Sequence, residues 1–140
     1  MKSILCILLS FFCQNLSAQQ LTINEGYLRA TPPGQMMSSA FMKLTNNSDQ
    51  TIIITGGESS KVKAIEIHNH AMRDGMMSME HIPQLRIAAG KSITMAPGGL
   101  NFMFIGLHKA LVAGETFSFD LVFENGERQS LTLPIKSIVN

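Results

Sequence analysis

Cysteine is scarce in this sequence of 140 residues: there are two, Cys6 and Cys13, both near the start. They fall in a segment that reads as a secretory signal. Lys2 precedes an apolar run from Ile4 to Phe12, and the small residues Ser17-Ala18 follow where a signal peptidase cuts. The run is shorter than the roughly 20 residues needed to span a bilayer. Phe11 and Phe12 stand before Cys13, where a lipoprotein signal wants small residues. Export to the periplasm with removal of residues 1–18 is therefore expected, with no membrane insertion afterwards. Residues 19–140 suffice for one ordinary core and are too few for two. Once its cysteines are gone, this single domain has no disulfide, no thiolate ligand and no cysteine nucleophile.

Charge of one sign is lacking too. Eleven basic residues face ten acidic ones, for a net charge of +1, and no basic cluster exists to neutralise phosphates. Nucleic-acid binding is therefore not expected. Dinucleotide, P-loop and serine-hydrolase signatures are absent, and no Ser/His/Asp arrangement is legible, so the chain reads as a non-enzyme. It shows no carboxylate cluster for a hard cation. The histidines are His68, His70, His81 and His108, too few without cysteine for structural zinc.

A helical stripe of apolar residues is missing throughout, whereas period-two alternation recurs. Phe117, Phe119, Leu121 and Phe123 share one face, and Leu131, Leu133 and Ile135 form the apolar face of a return strand. Asn125-Gly126 between them predicts a hairpin with a type I′ turn. Pro134 suggests a sheet edge or a strand end. Earlier strands are expected over residues 21–31, 40–44, 51–55 (with Gly56-Gly57 as breaker), 62–70, 92–95 and 102–105. Lys109 to Gly114 reads as one helical turn or a loop. Seven or more short strands predict an all-β Greek-key sandwich or barrel.

Methionine is what the sequence has in excess: ten residues, nine of them beyond the signal segment. Met42 and Met95 read as core filling. Met72, Met76, Met77 and Met79 lie among Arg73, Asp74, Gly75, Ser78 and Glu80, which suits a surface loop or short hairpin. Alternation through residues 64–70 places Glu66, His68 and His70 on one strand face, away from Ile65 and Ile67. Met77 and Met79 share a face if their segment is extended, as do Asn101 and Met103. Thioether and imidazole donors without carboxylates favour Cu(I) over zinc, calcium or magnesium. His81 and His108 read as solvent-facing, and Met103 could instead pack between Phe102 and Phe104.

Three segments carry a family resemblance. Ile65-Glu66-Ile67-His68, Asp74-Gly75-Met76-Met77-Ser78-Met79 and Met95-Ala96-Pro97-Gly98-Gly99-Leu100-Asn101-Phe102-Met103 resemble the periplasmic copper-binding proteins of the PCuAC family. Those chains have a histidine, ten intervening residues, a methionine, twenty-one more residues and then His-x-Met. Here His68, Met79 and Met103 match three of those places at the same spacing, and Asn101 stands where the family has its second histidine. The resemblance implies a cupredoxin-like barrel or sandwich and a Cu(I) site of two His and two Met near the surface. It also implies a chaperone role, with delivery to cytochrome c oxidase and thiol-bearing assembly factors as partners. An amide oxygen is a poorer donor to Cu(I) than imidazole. The expected ligands are thus His68, Met79 and Met103, with His70 compensating from the same strand face and Met76 or Met77 as alternatives. A second expectation is a non-metallated binding module that has lost the copper function.

Overall fold

Alternating side chains give most segments one apolar face, and these faces meet in a shared core. The computed structural model describes residues 21–137. The segment read as a signal, residues 1–18, and both cysteines lie outside them. The strands are β1 (Leu21–Arg29), β2 (Met37–Asn46), β3 (Ile52–Glu58), β4 (Val62–Arg73) and β5 (Met76–His81). They continue as β6 (Leu85–Ile87), β7 (Ser92–Met95), β8 (Leu100–Leu107), β9 (Thr116–Phe123) and β10 (Arg128–Lys136).

Seven of these close a barrel. The order β4-β8-β2-β1-β10-β9-β3 returns to β4 through the single pair Gly57–Ile65. β1 and β10 run parallel, and the other pairings are antiparallel. β5, β6 and β7 lie off this ring, on β4, β3 and β2 respectively. The all-β, Greek-key, cupredoxin-like architecture expected from the sequence is the one observed. Ile54, Ile65, Ile67, Phe102, Phe104, Phe117, Phe119 and Leu121 are buried in the core. Phe104 meets Phe117 and Phe119 edge-on, at ring-centroid distances of 5.5 and 5.0 Å. Met42 and Met95 are buried cross-strand partners, as core filling requires.

Several local expectations need correction. Gly56-Gly57 does not break β3, which continues to Glu58. A Cβ on Gly56 would sit 2.9 Å from the Ile65 carbonyl oxygen, and one on Gly57 would sit 3.0 Å from that of Asp120. The glycines thus let β3 approach both neighbours where the ring closes. The 118–122 and 129–133 segments do pair across Asn125-Gly126. That turn is not type I′, however, because only Gly126 has positive φ, and Gly126 N–H bonds the Phe123 carbonyl. The result is a three-residue loop ending in a left-handed glycine. The two-residue turn with both φ values positive lies instead at Asp74-Gly75, joining β4 to β5. β10 is an interior strand, and Pro134 stands where its pairing with β9 ends and that with β1 is about to begin. Lys109 to Gly114 is a loop.

Candidate metal centre

β4 positions the candidate donors. Its inward residues Ile65 and Ile67 are buried in the core, so Glu66, His68 and His70 emerge on the outer face of the barrel. The first half of β4 pairs with β8, setting Glu66 opposite Met103 and His68 opposite Asn101. The second half leaves the ring and pairs with β5. There His68 faces His81, His70 faces Met79, and Met72 faces Met77. Directly paired residues share a sheet face, with Cβ atoms roughly 4.5–5.5 Å apart. The sequence-predicted residues His68, His70, Met79 and Met103 are therefore brought to one outer face across β5, β4 and β8.

The face is dry at one end and wet at the other. Asn101 and Met103 are 1% and 6% exposed, while Met79 and Met77 are 52% and 67% exposed. Met103 lies on the opposite face of β8 from Phe102 and Phe104, so it does not pack between those core rings. It is thus buried on the outer side of β8, two residues from Asn101, and not among the core residues.

Hydrogen bonds orient the polar donors. His68 Nε2 lies 2.7 Å from Glu66 Oε2. A carboxylate only accepts, so Nε2 donates, and the lone pair of the neutral tautomer is then on Nδ1. That Nδ1 is buried and has no hydrogen-bond partner. The Gly99 carbonyl oxygen accepts both the His70 backbone N–H, at 3.1 Å, and Asn101 Nδ2, at 3.4 Å. This clasp ties the β7–β8 turn to β4. It leaves His70 Nε2 and Asn101 Oδ1 buried without partners as well. An unpaired buried acceptor costs about 1–3 kcal/mol. His68 and Asn101 are direct cross-strand partners, and His70 lies two places along β4 on the same face. A soft cation would suit the imidazole nitrogens better than the amide oxygen.

Two contacts on this face were not legible in the sequence. His81 is exposed, as expected, but its ring centroid also lies 5.6 Å from that of His68, a proximity the sequence did not indicate. Its determinant is Asp74-Gly75: a two-residue turn there fixes every pairing of the hairpin, His68 with His81 included. Glu66 was placed on the right face without its bond to His68. His108 is exposed, as expected, and lies on the β8–β9 connection. Met76 pairs with Arg73 on the reverse face of the hairpin, which separates it from Met77. Among the described residues, no three His, Cys, Asp or Glu side chains gather around a common point. A metal on this face therefore depends on thioethers.

Residues 21–135 match the family described as "Putative lipoprotein LpqE-like". "Putative lipoprotein Lxx21020" of Leifsonia xyli subsp. xyli is 29% identical over 120 residues, covering 85% of this chain and 71% of that protein. The solution structure of CuI-DR1885 from Deinococcus radiodurans superposes with a TM-score of 0.67 at 28% identity, covering 91% of this chain and 87% of that one. The copper-bound PCuAC domain from PmoF2 gives a TM-score of 0.71 at 19% identity, over 84% and 93% of the two chains, a likeness of fold.

Proposed function

The chain belongs to the LpqE-like family, and on that premise we propose that it is an exported protein that binds Cu(I) as cargo. The observation that carries this reading is the set of buried, unpartnered atoms His68 Nδ1, His70 Nε2 and Asn101 Oδ1 on the face that also holds Met79 and Met103. His68, His70, Met79 and Met103 are the donors proposed, with His70 supplying the imidazole that Asn101 cannot. Glu66 fixes the His68 ring, as carboxylates commonly fix metal-bound histidines. The relatives compared above are described as a lipoprotein and as copper-bound domains, which supports a carrier.

Neutral thioethers and imidazoles hold Cu(I) yet surrender it to a thiolate, the softer and stronger donor. A thiol-bearing acceptor fits that chemistry, such as an assembly protein for cytochrome c oxidase. The domain proposed to do this is residues 19–140, in the periplasm after cleavage at Ala18. Export agrees with the lipoprotein descriptions of the family and its relative. Phe11-Phe12 before Cys13 keeps release, rather than lipid anchoring, as the reading for this chain.

Asn101 favours a second reading, a β-barrel binding module without metal, because it removes an imidazole from the face. Anaerobic competition against a Cu(I) chelator, repeated with Zn(II) and a zinc chelator, separates the two. The copper reading expects Cu(I) to be preferred by orders of magnitude. Failure to hold Cu(I) favours the module, and equal retention of both metals refutes a Cu(I)-selective site.

A further inference from the structure

Among the described residues, the large apolar side chains left exposed are Met36, Met37, Met72, Met76, Met77, Met79 and Val112. All but one are methionines. Apolar bulk alone does not explain that choice, since β-branched or aromatic residues suit strands better. The shared property is the sulfur. Four of these methionines sit on the β4–β5 hairpin, and three of the four fall on the donor face. Met72 faces Met77 directly, and Met79 is two residues further along β5, facing His70.

We propose that Met72, Met77 and Met79 form an outer Cu(I) site at the hairpin end, from which the ion passes inward to the His68 donors. The outer site stands on its own observations; its role as a loading point rests on the copper reading above. Met72 and Met77, as a direct pair, have Cβ atoms roughly 4.5–5.5 Å apart, and the Met72–Met79 diagonal is roughly 7–8 Å. Flexible thioether side chains can close those gaps onto one ion, with metal–sulfur bonds of about 2.3 Å as in other sulfur sites. The hairpin's charged pair, Arg73 and Glu80, lies on the reverse face with a 3.3 Å contact. The outer donors are thus uncharged, which suits a soft monovalent ion and not a hard divalent one. Met79 belongs to both groups, so transfer needs only stepwise ligand exchange: Met72 and Met77 release as His70, His68 and Met103 engage. Copper stays Cu(I), and no proton or electron moves.

The test uses the mature protein and Cu(I) alone, under anaerobic conditions, with chelator competition and NMR of the methionine ε-methyl groups. In a His68→Ala/Met103→Leu variant, weaker Cu(I) binding should persist and shift the Met72 and Met77 methyls. Adding Met72→Leu and Met77→Leu, which keep the apolar surface but remove sulfur, should abolish that residual binding. In the native background the same two leucines should slow loading while leaving the final affinity nearly unchanged. Residual binding that is absent, or that survives both leucine substitutions, overturns the outer site. If His68→Ala/Met103→Leu leaves native affinity unaltered and the leucines remove it, the inner reading fails and the outer site stands.

Discussion

Asn101 is 1% exposed and sits directly across from His68, so its substitution changes the best-sheltered position on the donor face. The side chain is anchored through Nδ2 to the Gly99 carbonyl, and the unpaired Oδ1 is a hard donor. If His70 compensates, His70→Ala should weaken Cu(I) binding nearly as much as His68→Ala. Asn101→His should strengthen binding and make His70 dispensable. Chelator competition on the three variants and the double variant checks this, and an unchanged affinity in His70→Ala refutes the compensation. At this scale much was legible beforehand. Alternation alone put Glu66, His68 and His70 on one face, and the family resemblance singled out Met79 and Met103. The Glu66–His68 bond and the approach of His81 were not legible, because each depends on side-chain rotamer or strand register. Neither is written in periodicity.

The β4–β5 hairpin shows where sequence patterns stop informing at the level of an element. β9 and β10 announced themselves by burying one side of the strand. In β5 every residue except Ser78 is exposed, so no apolar face marks it as a strand. It exists because backbone pairing with β4 and the Asp74-Gly75 turn hold it there. Both turn residues have positive φ, Asp74 at 51° and Gly75 at 73°. Asn-Gly and Asp-Gly are equally good turn signals; the flanking registers decide which adopts the two-residue form. A Cβ on Gly75 would touch nothing, so Gly75→Val should act through backbone strain alone, at about 1–2 kcal/mol. Hydrogen exchange should show faster opening of β5 amides with the ring strands unaffected. Cu(I) affinity should fall along with it, since Met79 rides on this strand.

Across the whole molecule, the ring and the donor face are built from different sides of the same strands. Closure depends on Gly57, whose missing Cβ would lie 3.0 Å from both the Asp120 carbonyl oxygen and the Ile65 Cγ2. Gly57→Val should therefore destabilise the barrel by about 1–3 kcal/mol, the usual cost of overpacking. A lower urea midpoint with an unchanged slope measures it, and the folded fraction should keep native Cu(I) affinity. A metal held on the outside of a barrel has protein behind it and open space ahead, as the graded exposure from Asn101 to Met77 lays out. An acceptor thiolate can thus enter the coordination sphere before the last thioether has left. On the copper reading proposed above, transfer is expected to follow an associative course, with a velocity that climbs in proportion to acceptor concentration. It does not level off at the slow pace of spontaneous release.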